Sequence, residues 1–185
     1  MKRLAAFGVF FLIGIYGQFT GPGVSVAWSA GTSEFQVKAA FIYNFVKFVQ
    51  WPRDAFPATG DAPISICVLG QDPLGDALES LKGLTAQGKS LSVRRIAGQA
   101  EAERCQVLYL CKSEREAMPA ILKGMKAGVL TIGDMKSFAS VGGVINFVII
   151  DNRVSFEINV DAAERARLKI SSQILKLAKI VREER

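Results

Sequence analysis

The run Ile64-Ser-Ile-Cys-Val-Leu69 carries apolar side chains on both faces of a short strand. Only a sheet covered on both sides can bury such a strand, so helices must pack above and below it. The rest of the chain supplies them in alternation. Gly70 to Gly75 turns into a helix over 76–81, and Leu91 to Ile96 reads as a second strand. A polar helical piece over 99–104 precedes a third strand, Cys105 to Cys111. Ser113 and Glu116 have capping-box spacing for a helix running to about Lys126. Val129 to Ile132 is a fourth strand, and Gly133-Asp134 opens a short helix to Phe138. Val144 to Ile150 and Val154 to Ile158 flank the turn Asp151-Asn-Arg153, the pattern of an antiparallel hairpin. Asp161 with Glu164 then starts a long C-terminal helix bearing Leu168, Ile174, Leu175, Ala178 and Val181 on one face. The expected fold class is α/β: a single compact domain with a mixed, mainly parallel sheet and helices on both faces. A C-terminal antiparallel hairpin and a long C-terminal helix complete it.

Residues 34–51 read as the first helix, closed by Pro52. Val37, Phe41, Ile42, Phe45, Val46, Phe48 and Val49 cover an arc of about 180°, wider than one buried stripe requires. Phe35, Phe41, Phe45, Phe48 and Phe56 all fall in or just after this segment. A deeply buried core helix explains most of that arc. The sharper expectation is that Phe41, Phe45, Phe48 and Trp51 dock a partner protein or a second copy of the chain.

The N-terminus has the order of an export leader. Lys2 and Arg3 precede an apolar run from Leu4 to Tyr16, which is shorter than the roughly 20 residues that span a bilayer. Ser25-Val26-Ala27 offers small residues at −3 and −1 for signal peptidase. Cleavage after Ala27 is therefore expected, leaving 28–185 as one exported domain in the periplasm.

Composition removes several function classes. The formal charge is +6, from 23 basic and 17 acidic residues, and the charges are interspersed. A nucleic-acid reader needs a one-sided basic stripe, so no nucleic-acid partner is expected. There is no histidine. With only three scattered cysteines, a zinc site and a His-dependent catalytic triad are both improbable, and neither metal nor cofactor is expected.

The Gly70 to Gly75 spacing resembles a phosphate loop, but Asp76 and Ala77 stand where lysine and hydroxyl belong. A tight turn is the better reading. Asp72, Asp76 and Asp134 should lie along the carboxyl edge of the sheet, where α/β folds bind small ligands. A modest ligand crevice at Asp72 and Asp134 is the alternative function. Helix capping accounts for Asp134 more simply. Three carboxylates with no positioned base or nucleophile do not make an enzyme. Cys105 and Cys111 would stand about 20 Å apart in one extended strand and cannot bridge. Cys67, in a neighbouring strand, could reach either of them, and a Cys67–Cys105 bridge would contribute roughly 3–4 kcal/mol.

Val37-Lys-Ala-Ala-Phe-Ile-Tyr-Asn-Phe-Val-Lys-Phe-Val-Gln-Trp-Pro52, Ile66-Cys-Val-Leu-Gly70 and Cys105-Gln-Val-Leu-Tyr109 follow one another with Leu130-Thr-Ile-Gly-Asp134 and Gly142-Gly-Val-Ile145. Val154-Ser-Phe-Glu-Ile-Asn159 and Leu168 to Ala178 complete the series. In order and spacing these pieces resemble the YfiR family of periplasmic regulators, over about Val37 to Val181. The resemblance implies an α/β domain that represses an inner-membrane diguanylate cyclase by engaging its periplasmic sensor segment. Lower cyclic di-GMP and less biofilm would follow, with capture by an outer-membrane lipoprotein as one route of release. It also implies a Cys67–Cys105 disulfide. Some members have a second disulfide in the terminal hairpin; here no cysteine lies between Gly142 and Asn159. Cys111 is additional.

Overall fold

The computed structural model describes residues 33–57 and 62–182, so the expected leader and cleavage site lie outside the described residues. In chain order the elements are α1 (Glu34–Phe48), β1 (Val49–Gln50), β2 (Ile64–Leu69), α2 (Gly75–Glu79), β3 (Thr85–Ala86), β4 (Lys89–Ile96), α3 (Gln99–Ala102) and β5 (Val107–Leu110). They continue as α4 (Met118–Lys123), β6 (Leu130–Gly133), β7 (Ile145–Ile150), β8 (Arg153–Asn159), α5 (Val160–Arg165), β9 (Lys169–Ile170), α6 (Ser172–Leu175) and β10 (Lys179–Val181).

Eight strands form one sheet in the order β10-β8-β7-β6-β5-β2-β4-β3. The pairings from β4 through β2, β5 and β6 to β7 are parallel, as is β10 with β8. The β7–β8 hairpin and the short β3–β4 pair are antiparallel. β2 is central, with Cys67 opposite Arg94 on one neighbour and Leu108 on the other. Its two apolar faces are both covered. Ile64, Ile66 and Val68 face α1, α2 and the C-terminal elements, whereas Cys67 and Leu69 face α3 and α4. The mixed, mainly parallel sheet read from the sequence is the one observed.

Helix α1 starts at a capping box: Ser33 Oγ accepts from the Gln36 amide at 3.2 Å, and Gln36 Oε1 accepts from the Ser33 amide at 2.9 Å. The helix stops at Phe48 and does not reach Trp51. Val49 and Gln50 are extended because they pair with Ile170 and Lys169.

Three expected helices differ. The long C-terminal helix is replaced by α5, β9, α6 and β10. Arg167 takes φ 55°, breaking the helix after Arg165; β9 pairs with β1, and Ser171 caps the short α6. Lys179–Val181 then joins the sheet beside β8. Leu168 and Ile174 are still buried, Ile174 from the short α6, in the core on the α1 side of the sheet. Ser113 does not cap a helix, since its Oγ accepts from the Gln71 amide at 2.9 Å; α4 begins only at Met118, with Pro119 in its first turn. No helix forms over 133–138 either. There the Met135 amide donates to Asn146 Oδ1 at 3.1 Å, and Phe138 folds back over the sheet.

Candidate functional site

On the α1 side of the sheet the core is aromatic. Phe45 is fully buried, with ring centroids 4.9 Å from Phe156 and 5.9 Å from Phe147. Phe41 packs 5.2 Å from Phe156 yet stays partly exposed, on the same flank of α1 as Phe48. Trp51 is half-buried; its Nε1–H donates to the Gln106 carbonyl at 3.1 Å, and its ring meets Phe56 edge-on at 6.3 Å. Of the four aromatics read as docking residues, Phe45 therefore offers no surface, while Phe41, Phe48 and Trp51 retain some.

The same helix places a charge that sequence reasoning missed. Lys38 is only 2% exposed, one helical turn before Ile42 on the buried face. Its Nζ donates to Asp134 at 2.5 Å and to Glu34, and it lies 5.8 Å from the centre of the Phe147 ring. Burial disfavours its charged form, but the hydrogen bonds and attraction of Asp134 and Glu34 outweigh this and hold the ammonium above its ordinary value. Lys112 approaches the same Asp134 carboxylate at 3.4 Å. The signal was the 38, 42, 45, 46, 49 spacing of the inner face, with a lysine where an apolar residue is expected.

Asp134 thus neutralises a buried cation and caps no helix. Asp72 is engaged differently. Its Oδ1 accepts from the Leu74 and Gly75 amides at 2.8 and 3.2 Å, and its Oδ2 from Arg95 at 2.6 and 3.1 Å. Amides that would cradle a phosphate already hold a carboxylate, which agrees with the tight-turn reading of 70–75. Asp72 follows β2 and Asp134 follows β6, with β5 between, so they stand about 10 Å apart across the sheet. Tyr109 of β5 is buried, and burial, then the nearby carboxylates, push its phenol above the usual range. Asp76 is exposed. A cleft of about 210 Å³ reaches this edge, holding Asp134 with Lys112, Arg115 and Lys136; Asp72 does not line it.

On the opposite side, Cys67 and Cys105 form a disulfide with Cα atoms 6.0 Å apart. It ties the turn after α3 to the middle of β2. The guanidinium of Arg94 lies 3.7 Å from both sulfurs. Cys111 is a buried free thiol, pushed up to about 12 by burial and then by Asp72 and Glu114. Among the described residues no cluster of His, Cys, Asp and Glu could hold a metal ion, and no helix is long and apolar enough to cross a membrane.

A YfiR/HmsC-like family model matches residues 35–179, from the first turn of α1 into β10. The chain belongs to the YfiR/HmsC-like family. Among solved structures, a conserved domain protein from Vibrio cholerae O1 biovar El Tor strain N16961 superposes with a TM-score of 0.53 at 15% identity. The match covers 80% of this chain and 60% of that one, and it supports the fold alone. An ABC domain from Streptococcus pneumonia, solved with L-Trp, reaches a TM-score of 0.44 at 10% identity over 63% of this chain and 55% of its own.

Proposed function

We propose that this chain is exported, loses its leader after Ala27, and represses an inner-membrane diguanylate cyclase by binding the periplasmic sensor segment. The family match across residues 35–179 carries the reading. The disulfide accords with an oxidising compartment. Repression works through differential affinity: a cyclase that samples active and inactive states is held in whichever state the regulator prefers. Moving such an equilibrium from 1:99 to 99:1 takes a preference of about 5.5 kcal/mol.

The docking surface in this proposal is the flank of α1 that keeps Phe41 and Phe48 partly exposed, with Trp51 beyond the helix end. Phe45 supports that flank from within. An outer-membrane lipoprotein that captured this surface would release the cyclase. Phe41→Glu tests the surface. The variant should lose binding to the purified sensor segment and raise cyclic di-GMP in cells, with a near-native circular dichroism spectrum. Phe41→Tyr should behave as wild type. If the glutamate variant folds and still represses, the surface is misassigned. If deleting the whole gene leaves cyclic di-GMP unchanged, the cyclase reading itself is wrong. The mass of the periplasmic protein should correspond to a chain starting at Trp28.

A further inference from the structure

The β7–β8 hairpin stands out from the carboxyl edge of the sheet. Gly133, the last residue of β6, pairs with Asn146, so β7 runs on to Ile150, about 13 Å beyond its neighbour. β8 returns from Arg153, and Leu177 lies just before Lys179, which pairs with Glu157 on the outer side of β8. Leu177 and Ile149 are the most exposed large apolar side chains among the described residues, at 66% and 52%, and Ile150 is 45% exposed. Neighbouring residues of a strand point to opposite faces, so Ile149 and Ile150 leave both faces of the tip apolar. Cations flank them. Arg153 and Lys176 are exposed beside the apolar residues in sequence, and Arg115 and Lys136 line the cleft that also holds Val148 of β7. None of these four forms an ion pair among the described residues. Within 149–154 the only carboxylate is Asp151, and Glu157 is already paired with Lys179.

We propose that this hairpin tip docks on an anionic lipid surface, with Ile149, Ile150 and Leu177 in the apolar boundary and the four cations at the headgroups. A flat protein partner would cover one face of the ribbon and leave Ile149 or Ile150 in water, whereas a fluid apolar layer takes in both. A second copy docked tip to tip would set Arg153 and Lys176 near their own counterparts. An anionic surface replaces that like-charge contact with attraction. The tip is separate from the α1 flank, and its docking rests on the export reading only for which membrane it meets.

Flotation with vesicles of the protein purified from the periplasm tests it, and the mass of that protein shows separately whether the leader is gone. Vesicles of equimolar phosphatidylglycerol and phosphatidylcholine should bind it at least about tenfold more tightly than phosphatidylcholine alone, and added salt should weaken the binding. The double variant Ile149→Ser, Ile150→Ser should lose at least about tenfold, and its exposed positions should leave the circular dichroism spectrum unchanged. Arg153→Gln should lose about fivefold. Leu84→Ser, an exposed apolar change beside the opposite edge strand β3, should lose nothing. The proposal is overturned if neither vesicle binds the protein, if both bind it alike, or if the serine variant binds as wild type. A dimer that the serine substitutions dissociate, without vesicle binding, would overturn it in favour of a second copy at the tip.

Discussion

The two faces of the sheet are closed by different means. On one, α1 lays fifteen residues across the strands and buries Ile42, Phe45 and Val46 completely against Phe147 and Phe156. On the other, α3 and α4 contribute four and six residues, and the cover is completed by Phe138 from a turn and by the Cys67–Cys105 bond. A long amphipathic helix holds its place through buried area. Short helices bury too little to do so, and a covalent tie plus a single large ring make up the deficit.

Phe45→Ala should break the α1 face. Removing a fully buried ring from a four-ring cluster costs about 3–5 kcal/mol, read as a lower urea midpoint at unchanged slope. Removing the disulfide with Cys67→Ala and Cys105→Ala is the matching change on the other face. The expected loss is about 3–4 kcal/mol, arising chiefly in the unfolded chain. Hydrogen exchange would tell the two apart. The ring deletion should expose α1 and β8, and the disulfide deletion should loosen α3 and the start of β5. Uniform loosening in both variants would mean that the faces are not separately secured.

How much of this contrast was legible in the sequence depended on element length. The β2 strand was clear because apolar residues on both sides of six positions admit few alternatives. The hairpin was clear from two apolar runs around Asp151-Asn152, which both adopt positive φ, at 49° and 58°. The C-terminal segment was not, because Leu168, Ile174, Leu175, Ala178 and Val181 fit a helical period equally well. Long-range pairing of β9 with β1 and of β10 with β8 overrode that local preference. Lys38 escaped notice because lysine is rarely buried; its partner Asp134 lies 96 residues away in sequence. The bridge between Cys67 and Cys105 came from family resemblance, since strand spacing alone left Cys111 open as a partner. The docking role of Phe41, Phe48 and Trp51 remains a proposal resting on partial exposure.

Phe138 sharpens the comparison at smaller cost. Its buried ring lies so close over Gly133 and Gly143 that a Cβ on either would collide with it. Gly143→Ala should destabilise by about 1–3 kcal/mol through overpacking, and Phe138→Leu in the same chain should recover part of the loss. No such rescue is expected between Gly143→Ala and Phe45→Ala, which act on opposite faces and should add.

Lys38 gives the α1 face a pH signature. Its folded value lies above the ordinary 10.5, so its contribution is complete below pH 10.5 and is lost as pH rises through the folded value. Lys38→Met should cost about 1–3 kcal/mol at neutral pH, with Asp134 still facing Lys112. Above pH 10.5 the wild type should fall toward the variant. Parallel stability curves through that range would show that the ammonium contributes nothing.

The smallest effect concerns Cys111, whose thiol projects toward the α1 face beside Tyr109. It is 1% exposed and its thiol is pushed up to about 12, so at pH 8 it is both shielded and protonated. Native protein should therefore take up almost no iodoacetamide over minutes. Denatured without reductant it should gain one label, and after reduction three, matching one free thiol and one disulfide. Rapid native labelling would place Cys111 at an opening in the α1 cover. Three labels without reductant would remove the covalent tie from the opposite face, leaving α3 and α4 to hold by packing alone.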